Sequence, residues 1–221
     1  GVWKVMKLRK LPKGNELINP LGLGMGGIQG SSEEEIEKVI KEAIANGINF
    51  FDLCAGGSIV YKPFGKAIKG IRDKVYIQVH FGAVYNANGD YGWSRNLNQI
   101  KKTFAWELEQ LGTDYVDFGF LHCIDEDDDF EAIKKNGILD YLVELKNKGV
   151  IHHIGFSSHT PSVANKVIDI GLVDMMMFSI NPAYDLECGD EYGIGSTLER
   201  AKLFRRCQIE NIGISVMKPF H

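Results

Sequence analysis

Four histidines of this 221-residue chain stand where an apolar run gives way to a polar loop: His80 after KVYIQV, His122 after DYVDFGFL, His159 after VIHHIGFSS and His221 after IGISVMKPF. Asp52, which closes INFFD, holds the same place. Imidazoles and carboxylates pass protons in the physiological range, and the same donors bind divalent metals. Either chemistry requires that groups distant in the chain be brought to one spot. A stack of parallel strands that each deliver a polar group at the carboxyl end does this, and it describes the active face of a (β/α)8 barrel.

The periodicity supplies such strands. VWKVMKLRK, the turn LPKGN and ELINPLGLG predict a short hairpin ahead of a first barrel strand near Leu23 to Ile28. Ser32 with Glu35 forms a capping box, and Ile36, Val39, Ile40, Ala43 and Ile44 repeat at helical spacing until Asn46-Gly47 stops the helix. The strand INFFD follows, then a short helix around Pro63 to Lys69 and the strand KVYIQVH. A helix from about Asn96 carries Ile100, Phe104, Leu108 and Leu111 on one face and ends at Gly112 before DYVDFGFLH. A helix over Gly137 to Lys148, the strand VIHHIGF, a helix from Thr160-Pro161 to Gly171 and the strand DMMMFSIN continue the alternation. Ser196 with Glu199 opens a helix that runs to Asn211 before IGISVM. Recurring β-α units joined by short links imply a parallel sheet.

Composition narrows the function classes. Apolar residues at 44% and charged ones at 24% suit one globular domain with a real core, spanning 1–221. A net charge of −4 provides no basic footprint for nucleic acid or an anionic membrane. No apolar run reaches membrane-spanning length, and the opening GVWKVMKLRKLPKGN is too short and charged for a secretory signal, so a cytoplasmic location is expected. Cys54, Cys123, Cys188 and Cys207 are widely spaced without a C-x-x-C pair, which predicts reduced thiols. Seven strands are counted where a barrel needs eight, so the expected fold is a (β/α)8 TIM barrel with an N-terminal hairpin, incomplete because the chain ends after strand seven. The expected seam between strands one and seven would invite self-association.

The segments LGLGMGGIQG, GINFFD, DYVDFGFLHCID, VIHHIGFSSHTP, FSINPAYDL and GISVMKPFH, in this order, resemble the aldo-keto reductase family across nearly the whole chain. The resemblance is closest to the bacterial branch that often carries a C-terminal [4Fe-4S] ferredoxin-like extension; such a cluster would need a longer native chain. It implies a (β/α)8 barrel, NADPH as hydride donor and a small-molecule carbonyl or alcohol substrate. The family's catalytic tetrad is an Asp, a Tyr about five residues later, a Lys ending strand three and a His ending strand four. Asp52 and His122 match the first and last. Aligned through Phe64-Gly65-Lys66, the tyrosine position holds Gly57, with Tyr61 four residues beyond, and the lysine position holds His80. By the same resemblance Ser157, Ser158 and Asn181 would hold the nicotinamide carboxamide, Met217 would lie on its ring, and Lys218 would approach the pyrophosphate. Gly26 and Gly27, with Gly24, are candidates for a phosphate nest, although no Rossmann context follows them and close backbone packing explains them as well.

The leading expectation is therefore an aldo-keto reductase-type oxidoreductase with a degenerate tetrad, using Asp52, His80, His122 and Tyr61 and no metal. Two alternatives stand beside it: a metal-assisted hydrolase or lyase on His80, His122, His159 and Asp52, and a catalytically silent nucleotide-binding barrel. Other conspicuous residues have plainer readings. His152 and His153 start a strand and belong to the stability face, Asp125 to Asp129 read as a solvated loop, and Met175 to Met177 read as core.

Overall fold

The computed structural model describes residues 8–19, 22–28, 30–86, 89, 91–179 and 197–217. Strands β1 (Arg9–Lys10) and β2 (Leu17–Ile18) pair antiparallel as the expected hairpin. Seven parallel strands then form one curled sheet in chain order: β3 (Leu23–Gly24), β4 (Phe50–Asp52), β5 (Tyr76–Phe81), β8 (Val116–Leu121), β9 (Ile151–Ser158), β10 (Met175–Ser179) and β11 (Gly213–Met217). Helices α1 (Glu33–Ala45), α2 (Tyr61–Ala67), α3 (Leu97–Leu111), α4 (Asp127–Lys135), α5 (Ile138–Asn147), α6 (Pro161–Asp169) and α7 (Thr197–Ile209) occupy the connections. This is the incomplete (β/α)8 architecture expected, with β3 and β11 as the two ends of the sheet and no ladder joining them among the described residues. No helix among these residues is long and apolar enough to cross a membrane.

Local chemistry explains the boundaries. Ser32 and Glu35 close the capping box of α1, and the Asn96 side chain caps α3, which stops at Gly112 in the left-handed conformation. Three expectations need correction. The first barrel strand covers only Leu23–Gly24, because Met25–Ile28 tightens into a 3-10 turn. Between KVYIQVH and the helix from Asn96, where no element was expected, an antiparallel hairpin forms, β6 (Ala83–Tyr85) and β7 (Tyr91–Trp93). The acidic run is not a plain loop: Asp127, Asp128 and Asp129 form the first turn of α4, where carboxylates meet the positive end of the helix dipole, and Glu126 and Asp129 complete a capping box.

Strand alternation divides the core in two. Phe118, Phe120, Met175 and Met177 fill the sheet's concave side with Leu11 and Ile18 of the hairpin against them, while Ile77, Val79, Leu121, Ile154, Phe156, Met176 and Phe178 pack beneath the helices. Burying each large apolar side chain contributes about 1.5–3 kcal/mol. Gly155 pairs with Phe120 across β8 and β9, and a β-carbon there would fall 2.4 Å from the Phe120 ring. At the strand amino ends, His153 Nε2 lies 2.6 Å from Glu16 of the hairpin and its Nδ1 3.4 Å from Asp174, which agrees with the structural reading of this residue.

Candidate active site

Period-two alternation assigns the candidates. Phe50 and Asp52 on β4, Tyr76, Gln78 and His80 on β5, Phe118 and Phe120 on β8 with His122 just beyond, and Ser157 on β9 share the concave side. The polar members fall at the carboxyl ends. Asp52 Oδ1 accepts from the Cys54 backbone N-H at 3.1 Å, and Oδ2 accepts from the Gln78 amide at 3.2 Å. His80 Nε2 also lies 3.2 Å from Oδ2. The opposite nitrogen, His80 Nδ1, sits 2.9 Å from His122 Nδ1, and His122 Nε2 sits 2.8 Å from Cys123 Sγ. An ionised carboxylate only accepts, so His80 donates from Nε2 and, as a neutral ring, accepts at Nδ1. His122 then donates from Nδ1 and accepts the Cys123 S-H at Nε2. The result is one continuous chain: Cys123, His122, His80, Asp52.

Burial, reinforced by His80, Arg95 and His159, pushes the His122 pKa down to about 2, so this ring is a neutral imidazole. Trp93 of the β6–β7 hairpin stacks on it at 3.4 Å between ring centres, tilted by 6°. Cys123 has a positive φ of 46°, uncommon for a residue with a side chain, and the turn is pinned from three sides. Arg95 donates to the His122 and Cys123 carbonyls at 3.0 and 3.2 Å, and Cys123 N-H donates to Ser157 Oγ at 2.8 Å. Burial, with Asp125 nearby, pushes the Cys123 thiol up to about 11, so it keeps its proton.

The other sequence candidates lie elsewhere. Tyr61, the first residue of α2, is fully buried, its hydroxyl 2.5 Å from that of Tyr85 and its ring edge-on to Trp106, with no hydrogen bond to the Asp52–His80–His122 chain. Glu107 is near enough to Tyr61 and Tyr85 to act on both electrostatically, and burial pushes its carboxyl well above the usual range. Gly57, which the resemblance aligns with the family's tyrosine, has φ 74° and ψ 179°, and a β-carbon there would fall 2.9 Å from the Gly89 carbonyl. His159 is half exposed and held by Asp125 through its backbone N-H at 2.6 Å and its ring at 3.1 Å, so it does not join His80 and His122. Cys54 joins them instead: its Sγ and one nitrogen from each of these two rings lie within 4.8 Å of one another. Ser158 faces away from Ser157, its hydroxyl accepting the Thr160 N-H at 3.1 Å in the turn that opens α6. Gly26 and Gly27 sit in the 3-10 turn after β3, and Met217 ends β11 beside Ser179. Asn181, Lys218 and His221 lie outside the described residues.

Sequence reasoning missed Gln78, Cys54, Cys123 and Arg95, and it missed the stacking of Trp93, whose ring suggested a substrate contact, on His122. Gln78 was discoverable, since it precedes His80 by two on the same strand and must share its face. The role of Trp93 depends on an unanticipated hairpin.

A parallel, helix-wrapped sheet with its polar groups gathered at the carboxyl ends is the organisation of barrel enzymes. The aldo/keto reductase family profile matches residues 20–221, and the chain belongs to that family. It is 28% identical over 183 residues to L-galactose dehydrogenase of Arabidopsis thaliana, covering 78% of this chain and 56% of that protein. Its fold is similar to an aldo-keto reductase from Bacillus halodurans in holo form, with a TM-score of 0.73, 23% identity and coverage of 98% of this chain and 70% of the other. An aldo-keto reductase from Klebsiella pneumoniae in complex with NADPH is also similar, with a TM-score of 0.64, 19% identity and coverage of 96% and 67%. The chain spans about half the length of the curated relatives it matches.

Proposed function

We propose that this chain forms the barrel of an oxidoreductase that exchanges a hydride between NADPH and a carbonyl or alcohol, with Asp52, His80 and His122 serving where the family uses Asp, Lys, Tyr and His. The hydrogen-bonded chain of these three residues at the strand ends carries the reading. Support for NADPH comes from the complex formed by the Klebsiella relative and from Ser157, whose Oγ accepts from Cys123 N-H and so leaves its own hydrogen to donate to a carboxamide oxygen. Ser158 is a weaker candidate because the α6 turn uses its hydroxyl.

Bound NADPH would supply the hydride; the residues supply the proton. With one proton loaded, His80 as imidazolium donates from Nε2 to Asp52 and from Nδ1 to His122, and the Nε2-H of His122 faces the developing alkoxide in place of Cys123. As the oxygen takes that proton, the His80 Nδ1 proton passes to His122 Nδ1. Asp52 remains ionised, both imidazoles end neutral, and one proton is consumed from solvent. The depressed pKa of His122 fits this role, since a ring that disfavours its own positive charge passes a proton on. Placing such a donor at the developing charge is worth about 10²-fold or more in rate. A fluorescence titration with NADPH, followed by a panel of aldehydes, ketones and sugars, tests the reading. Saturable NADPH binding with turnover of at least one carbonyl class is expected; a complete native protein that binds no nicotinamide nucleotide contradicts it.

A further inference from the structure

We propose that Cys54, His80 and His122 form a binding site for a thiophilic divalent cation of the zinc class. All three side chains are buried, and one ligand atom of each lies within 4.8 Å of the others. Thiolate and imidazole are the donors that zinc and cobalt prefer. The two Nδ1 atoms are 2.9 Å apart, close to the roughly 3.3 Å that two imidazole nitrogens span around a tetrahedral zinc with bonds of about 2.0–2.1 Å. The remaining nitrogens already have outer partners: His80 Nε2 faces Asp52 and His122 Nε2 faces Cys123. A carboxylate behind the far nitrogen of a histidine is the usual support for a metal ligand, since it fixes the ring and raises its basicity.

Sequence spacing hides the site. Cys54 follows β4, His80 lies on β5 and His122 follows β8, so the three converge only when these strands stand side by side. Three protein donors leave one position of a tetrahedral ion for water or a substrate oxygen, as in catalytic rather than structural zinc sites. The ion would occupy the place of the proton between the two Nδ1 atoms, so ion and shared proton exclude each other. Binding itself does not depend on the oxidoreductase reading and can be measured without nucleotide or substrate.

The test is titration of the chelator-treated protein with Co2+ alone, followed by absorption spectroscopy. The expected result is about one equivalent bound, with tetrahedral d-d bands and a sulfur-to-cobalt charge-transfer band. Cys54→Ser should abolish the charge-transfer band, while Cys123→Ser should keep it. Asp52→Asn should weaken binding about 10–100-fold through loss of the His80 support. Circular dichroism and melting of each variant establish that it folds. Absence of a stoichiometric Co2+ complex in the wild type, or a charge-transfer band that survives in folded Cys54→Ser, overturns the assignment. A band lost in Cys123→Ser but retained in Cys54→Ser also overturns it.

Discussion

Replacement of Gly57 tests whether the backbone at the position that the resemblance aligns with the family's tyrosine can present a side chain. The residue adopts φ 74° and ψ 179°, a region essentially confined to glycine, so a side chain there costs about 1–3 kcal/mol in backbone strain. Its β-carbon would also fall 2.9 Å from the Gly89 carbonyl oxygen, which accepts the Ser58 N-H at 2.9 Å and so cannot retreat without weakening that bond. A weakened hydrogen bond adds roughly 0.5–1.5 kcal/mol. Gly57→Ala should therefore destabilise by about 1.5–4.5 kcal/mol, which lowers the melting temperature by roughly 3–18 °C in a domain of this size. Gly24→Ala is the control: its β-carbon would meet nothing within 4 Å, and its change should stay within about 0.5 kcal/mol. Gly57→Tyr should carry the same penalty and bring no gain in carbonyl reduction, because the backbone is not shaped to present a tyrosine. Urea and thermal unfolding give the stabilities. A Gly57→Ala protein as stable as wild type, or a Gly57→Tyr protein with raised turnover, refutes the reasoning.

Two pH-linked effects follow from buried groups. Glu107 keeps its proton in the fold, whereas the unfolded chain releases it above about pH 4.5, so stability falls as pH rises from there toward the raised folded value. Glu107→Gln removes that slope, at most about 1.4 kcal/mol per pH unit, and its advantage over wild type in urea unfolding should grow as pH rises from about 5 toward the raised folded value; a constant difference argues against a buried neutral acid. His153 behaves oppositely: burial lowers its pKa, but Asp174 and Glu16 outweigh that and raise it. Its stabilisation is complete below about pH 6.5 and is lost as pH rises through the folded value, so His153→Gln should cost more at about pH 6 than at about pH 9. Equal costs at both pH values contradict the ion-pair role.

Strand order, helix caps and the convergence of Asp52, His80 and His122 were legible because each depends on local patterns: alternation of two, helical repeats, and the Gly or Asn that ends a helix. The rest depended on contacts between distant segments. Nothing in GDYGWS marks Trp93 as the residue that stacks on His122, since the pairing of β6 with β7 decides it. Tyr61 lies close in sequence to the family's tyrosine position, yet the 3-10 turns after β4 and the start of α2 carry it into the Tyr85 and Trp106 cluster. The serine pair reads as one unit, but adjacent residues on a strand face opposite ways, so only Ser157 shares the side of the chain of acids and bases.

If Asp52, His80 and His122 deliver the proton during carbonyl reduction, as proposed, His122 is the group that meets the substrate oxygen. Steady-state kinetics of His122→Ala in the complete native protein, at saturating NADPH and beside Tyr61→Phe, test it most directly. The expected result is a loss of about 10²-fold or more in kcat for His122→Ala, with NADPH affinity changed by no more than about threefold, and near-normal turnover for folded Tyr61→Phe. Full activity in His122→Ala together with an inactive, folded Tyr61→Phe would contradict it and return the donor role to the tyrosine.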